Sequence, residues 1–92
     1  MPVIDVRKLA EDPWEFRVLI NEDDEVVGEY MVDMSEEEYA RYGDDVEPHE
    51  LIEATFQFLL AHEEPEMILA QFDLAEVEKH YPEYPDEVHN YL

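Results

Sequence analysis

From Trp14 onward, apolar and polar positions alternate. Phe16, Val18 and Ile20 fall on one side of an extended chain, with Glu15, Arg17, Leu19 and Asn21 on the other. A period of two marks a strand with one covered face. Residues 26–34 repeat it: Val26, Gly28, Tyr30, Val32 and Met34 share one side, and Val27, Glu29, Met31 and Asp33 the opposite one. The polar run Asn21-Glu22-Asp23-Asp24-Glu25 between them has the length of a hairpin loop. A β-branched stretch at residues 3–9, broken by Ala10-Glu11-Asp12-Pro13, adds a third strand. The first 34 residues therefore predict an antiparallel meander.

At Met34 the period changes. Ser35 and Glu38 are spaced as a capping box, in which the serine hydroxyl accepts the Glu38 amide and the Glu38 carboxylate accepts the Ser35 amide. Three acids in the first turn suit the helix dipole, Glu37 and Arg41 stand at the favourable i,i+4 spacing, and Gly43 ends the helix after about two turns. Pro48 opens the longest helix, over residues 48–63. Ile52, Phe56, Leu59 and Leu60 make its main stripe, with Leu51, Thr55 and Phe58 beside it. So wide an apolar arc implies burial on two sides and makes this helix the centre of the core. Pro65 restarts the chain. Ile68, Leu69 and Phe72 fit a short helix over 66–72, Asp73 and Glu76 repeat the capping box for a helix over 74–81, and a last helix or turn follows at 86–91.

The predicted fold is α+β: one domain over residues 1–92, in which a three-stranded antiparallel sheet (1–34) is packed on one face by four to five helices (35–92).

Charge changes the picture more than any motif does. The chain has 27 Asp and Glu against five Lys and Arg, for a formal net charge of −22. Charge of that size is a signature of disorder when apolar residues are scarce. Here Leu, Ile, Val and Phe make up 25 of 92 residues, at strand and helix spacings, so a folded core is expected. A polyanion cannot neutralise phosphates, which argues against direct nucleic-acid binding and against anionic membrane surfaces. Residues 1–34 carry ten acids and three bases, and residues 35–92 carry seventeen and two. The excess is spread over the whole chain, as a surface adapted to high salt would have it; the rival reading is a basic partner that the protein masks. There is no cysteine, the start Met1-Pro2-Val3-Ile4-Asp5 lacks the basic and apolar regions of a signal peptide, and no apolar run approaches a membrane span. A cytoplasmic location is the expectation.

The block Phe58-Leu59-Leu60, Glu64-Pro65, Ile68-Leu69, Phe72-Asp73-Leu74 and Tyr81-Pro82-Glu83-Tyr84 resembles a set of small uncharacterised bacterial α+β proteins. The likeness covers about 40 residues at what look like core and cap positions. It implies a fold and carries no activity or catalytic residue.

Candidate chemistry is sparse. Glu76 and His80 are spaced i,i+4 and His89 follows near Asp86, so Glu76, His80 and His89 form a candidate mixed N/O metal site; chance proximity in so acidic a chain is the plainer reading. His49-Glu50-Leu51-Ile52-Glu53 begins like a zincin helix but has Glu where the second His belongs. Asp12, Asp23, Asp24, Asp44 and Asp45 do not form an EF-hand loop. Two glycines cannot build a phosphate loop. Trp14, Tyr81, Tyr84 and Tyr91 are candidate partner-contact residues, because such rings favour interfaces; the competing role is to close the end of a small core. No catalytic or cofactor-binding residue is assigned. The functional expectation is a non-enzymatic interaction or regulatory protein for a basic or amphipathic protein partner, as a monomer or as a homodimer through an open sheet edge. The alternative is a small metal-dependent or acid/base enzyme built on Glu76, His80 and His89.

Overall fold

The computed structural model describes residues 3–11, 13–43 and 45–92. Asp12 and Asp44, two of the acids weighed for calcium, and the first two residues of the N-terminal stretch lie outside the described residues. The elements are β1 (Val3–Ala10), β2 (Trp14–Glu22), β3 (Glu25–Met34), α1 (Glu36–Gly43), α2 (Pro48–His62), β4 (Gln71–Asp73), α3 (Leu74–His80) and α4 (Tyr84–Glu87). Short 3-10 turns lie at Pro65–Met67 and Val88–Tyr91.

The fold class is α+β as expected, with two corrections. The sheet has four strands in the order β1-β2-β3-β4, and it is mixed: β1, β2 and β3 form the antiparallel meander, and β4 runs parallel to β3. The segment 66–72, expected to be a helix, is instead a 3-10 turn followed by β4. Long-range pairing overrides the local period here. Val32 pairs with Phe72, the Met31 amide donates to the Ala70 carbonyl at 2.8 Å, and the Tyr30 hydroxyl donates to the Pro65 carbonyl at 2.6 Å. The Phe72 ring then reaches Phe56, centroid to centroid 5.9 Å, so the strand is fixed by its one buried side chain.

The alternation in β2 holds, with Phe16, Val18 and Ile20 fully buried. In β3 it holds only for Tyr30, Val32 and Met34. Ile20 pairs with Gly28 but Asn21 pairs with Val26, so Val27 is an extra residue and the bulge turns Val26 to solvent at 59% exposure. The hairpin turn is Asp23-Asp24, both with left-handed backbone (φ 52° and 65°), which matches the twist that two-residue hairpins require.

Helix α2 crosses the inner face, against β1 and the C-terminal turn, and buries Leu51, Ile52, Phe56, Phe58 and Leu59. Thr55 is the buried polar residue among them. Its hydroxyl bonds the Leu51 carbonyl at 2.8 Å and the Tyr84 hydroxyl at 2.7 Å, tying α4 to α2. Among the described residues no buried side-chain N or O lacks a partner. Gly43 is the last residue of α1 and has no left-handed backbone; it lets Leu51 pack closely, since a Cβ there would lie 3.2 Å from Leu51 Cδ1. No helix among the described residues is long and apolar enough to cross a membrane.

Candidate functional site

Two concavities flank α3. The larger, about 960 Å³, opens where β3 and β4 lead side by side into α1 and α3. The Ser35 capping box forms as the spacing predicts, with the Ser35 amide donating to Glu38 at 2.7 Å and the Glu38 amide to Ser35 Oγ at 3.1 Å. The second Glu38 oxygen accepts the Ala75 amide at 2.9 Å, so one carboxylate serves the N-termini of both helices. Arg41 does not pair with Glu37 as its spacing predicted. It reaches Glu78 on α3, Nε at 3.1 Å and Nη2 at 2.8 Å, and the Tyr42 hydroxyl donates to the same carboxylate at 2.6 Å. The Arg41 and Tyr42 hydrogen bonds hold Glu78 below the usual carboxylate range. Burial, with the Glu78 bond second, pushes Tyr42 up to about 12.

Along the floor of this cleft Glu15, Asp33 and Asp73 stand directly opposite one another on β2, β3 and β4. Burial, then the charges of Glu15, Asp73 and Glu38, push the Asp33 carboxyl up. Like charges in cross-strand register destabilise. A raised folded pKa means this group favours the folded state fully only below its ordinary value of 3.8, and the contribution is lost as pH rises through the raised value. At neutral pH Asp33 therefore works against folding. Asp33→Asn is expected to stabilise the protein at pH 7 by ~0.5–1 kcal/mol and to have no such effect at about pH 3.5. Urea melts at both pH values check this, and equal gains at both would refute the charge argument.

The smaller concavity, about 430 Å³, lies between the C-terminal half of α2, the Pro65–Met67 turn and α3. Leu59, Phe72 and Val77 line it from the core, and Ile68 and Tyr81 add further apolar surface. Met67 and Leu69 stand at its edge, 69% and 55% exposed, and Glu63 and Glu76 are its carboxylates. The Tyr81 hydroxyl donates to Glu63, and that bond foremost pushes Tyr81 up to about 12.

The residues singled out in the sequence are dispersed. Glu76 caps α3 by accepting the Asp73 amide at 3.1 Å, and it lines the apolar groove with His80. His89 lies on the C-terminal 3-10 turn. Glu76, His80 and His89 do not belong to the one group of converging potential ligands among the described residues, which is His62, Glu83 and Glu87. Of the four aromatic candidates, Tyr84 is fully buried and offers no surface to a partner. Trp14 is half-buried with its ring 5.2 Å edge-on from Tyr39, Tyr81 is half-buried against Phe58, and Tyr91 is 37% exposed. Sequence reasoning missed Met67 and Leu69 as a surface because it folded Leu69 into a helix, and it missed His62 because no motif surrounds it.

Comparison with protein-family models, with curated proteins and with solved structures finds no match to this chain. Phe58, Leu59, Ile68, Phe72, Leu74 and Tyr84 are all buried and serve packing.

Proposed function

We propose that this chain is a non-enzymatic interaction protein that takes a basic, amphipathic segment of a partner protein into the groove between α2 and α3. The observation that carries this reading is the pairing of exposed Met67 and Leu69 with an apolar groove that holds Glu63 and Glu76 and has Glu64 and Glu66 close by in the chain. Apolar side chains of an incoming helix would find Leu59, Phe72 and Val77, and its lysines or arginines would find carboxylates on either side. Methionine at the edge suits a surface that must adapt to its ligand.

The diffuse acid excess is a separate matter, which we read as adaptation of a cytoplasmic, bacterial protein to high salt. Spread charge of this kind shapes association rates and solubility rather than one contact. The enzyme alternative has less support, because Glu76, His80 and His89 are not the side chains whose potential ligand atoms converge among the described residues.

A synthetic amphipathic helix of leucine and lysine, labelled for fluorescence anisotropy, tests the groove. It is expected to bind in the micromolar range in dilute salt, and the exposed-edge double variant Met67→Asp, Leu69→Asp is expected to weaken it by at least about tenfold. A lysine-rich peptide of the same charge with its leucines replaced by serine should bind more weakly than the amphipathic one. If both peptides bind alike, or the double variant binds as the parent does, general polyanion attraction accounts for the effect and the groove is not a docking site.

A further inference from the structure

We infer that His62, Glu83 and Glu87 form a site for one first-row divalent cation, zinc or manganese, that clamps α4 to the C-terminal end of α2. One ligand atom from each of the three residues lies within 4.8 Å of the others. They come from two parts of the chain about twenty residues apart: His62 is the last residue of α2, Glu83 immediately precedes the single-turn α4, and Glu87 is the last residue of α4. An imidazole with two carboxylates is a donor set that suits zinc or manganese and leaves coordination positions for water.

Three independent features support the assignment. The first is separation. His62 Nε2 lies 3.4 Å from Glu87 Oε2, longer than an ordinary N–H···O bond of about 2.7–3.2 Å. Donor atoms sharing one zinc ion at about 2.0–2.2 Å lie roughly 3.3 Å apart, so this pair is already at ligand spacing. Glu83 is exposed, so its carboxylate has room to close the remaining distance. The second feature is preorganisation. The His62 ring is held near Phe58, with centroids 4.5 Å apart, and near Tyr81 at 5.1 Å. The buried Thr55–Tyr84 bond anchors α4 against α2, so the two halves of the site are mounted on one frame. The third is the field. Two carboxylates meet at the negative end of a 15-residue helix, within a chain of net charge −22, and a cation relieves both.

Calorimetry with zinc chloride and with manganese chloride, each as the metal alone, tests this in ~1 M KCl, where the Debye length of about 3 Å suppresses diffuse condensation. One ion per chain is expected, with affinity lowered at least about tenfold in His62→Ala and in Glu83→Gln. Glu83 is exposed, so its conservative variant remains informative if the histidine variant loses its fold. Cobalt in place of zinc is expected to give a ligand-field absorption band that both variants abolish. No heat in the parent protein, or binding that neither variant changes, overturns the site. The measurement does not involve the peptide groove, so either proposal stands or falls without the other.

Discussion

Replacing Phe58 with alanine is expected to destabilise the protein by about 3–5 kcal/mol, enough to leave it largely unfolded in dilute buffer. Phe58 is fully buried, and its ring meets His62, Tyr81, Tyr84 and Tyr91 at centroid distances of 4.5, 5.5, 5.4 and 6.4 Å. Those four side chains come from α2 itself, the segment after α3, α4 and the C-terminal turn, so the ring is where the C-terminal half is joined to the central helix. Removing it leaves a cavity that rigid helix backbones cannot close. A domain of 92 residues has a stability on the order of 5–14 kcal/mol, and self-repulsion at −22 puts this one toward the lower end. Urea titration followed by circular dichroism gives the answer. A midpoint close to the parent's would mean that the ring is not packed as described.

Raising KCl from 0.05 to 2 M is expected to increase the melting temperature by about 10–20 °C. Two like charges ~10 Å apart in water repel by about 0.4 kcal/mol before screening. The Debye length falls from about 10 Å at 0.1 M to about 3 Å at 1 M, which removes most of that for every such pair. Twenty-seven acids on a molecule of 12.1 Å radius of gyration have many neighbours at such distances. The unfolded chain also repels itself, so the net gain is a fraction of the sum, about 2–4 kcal/mol, and 1 kcal/mol moves a domain of this size by about 4–8 °C. Differential scanning calorimetry across the series measures it. A flat profile would remove salt adaptation as the meaning of the acid load.

The elements legible in the sequence are those whose cause is local. Two strands of the meander follow from period two and the first from a β-branched stretch, α1 from the Ser35–Glu38 box, α2 from Pro48 and its wide apolar arc, and α3 from the Asp73–Glu76 box. What was not legible has distant causes. Residues 68–72 satisfy a helical period, and only the exposed edge of β3, some forty positions earlier, makes Gln71–Asp73 a strand. The Val27 bulge is decided by how β3 pairs with β2, not by its own alternation. Arg41 had a correctly spaced neighbour in Glu37, but Glu78 offers a carboxylate that takes two guanidinium nitrogens at once. Sites fared worse than elements. Among 27 acids any local His–Glu spacing is uninformative, and the group that converges draws on His62 and Glu83 across a loop, a strand and a helix.

The β1 strand ends the sheet, and its outward amides and carbonyls form a template to which a second chain could add. In dilute solution two such molecules approach as strongly repelling bodies, and that repulsion guards the flank. Brine removes the guard while it firms up each molecule, leaving the irregular pairing between Lys8 and Ala10 as the remaining obstacle to strand addition. The concentrated salt that best suits the single molecule is therefore also where edge-to-edge dimers should first appear, and sedimentation at the two ends of the KCl series would register them.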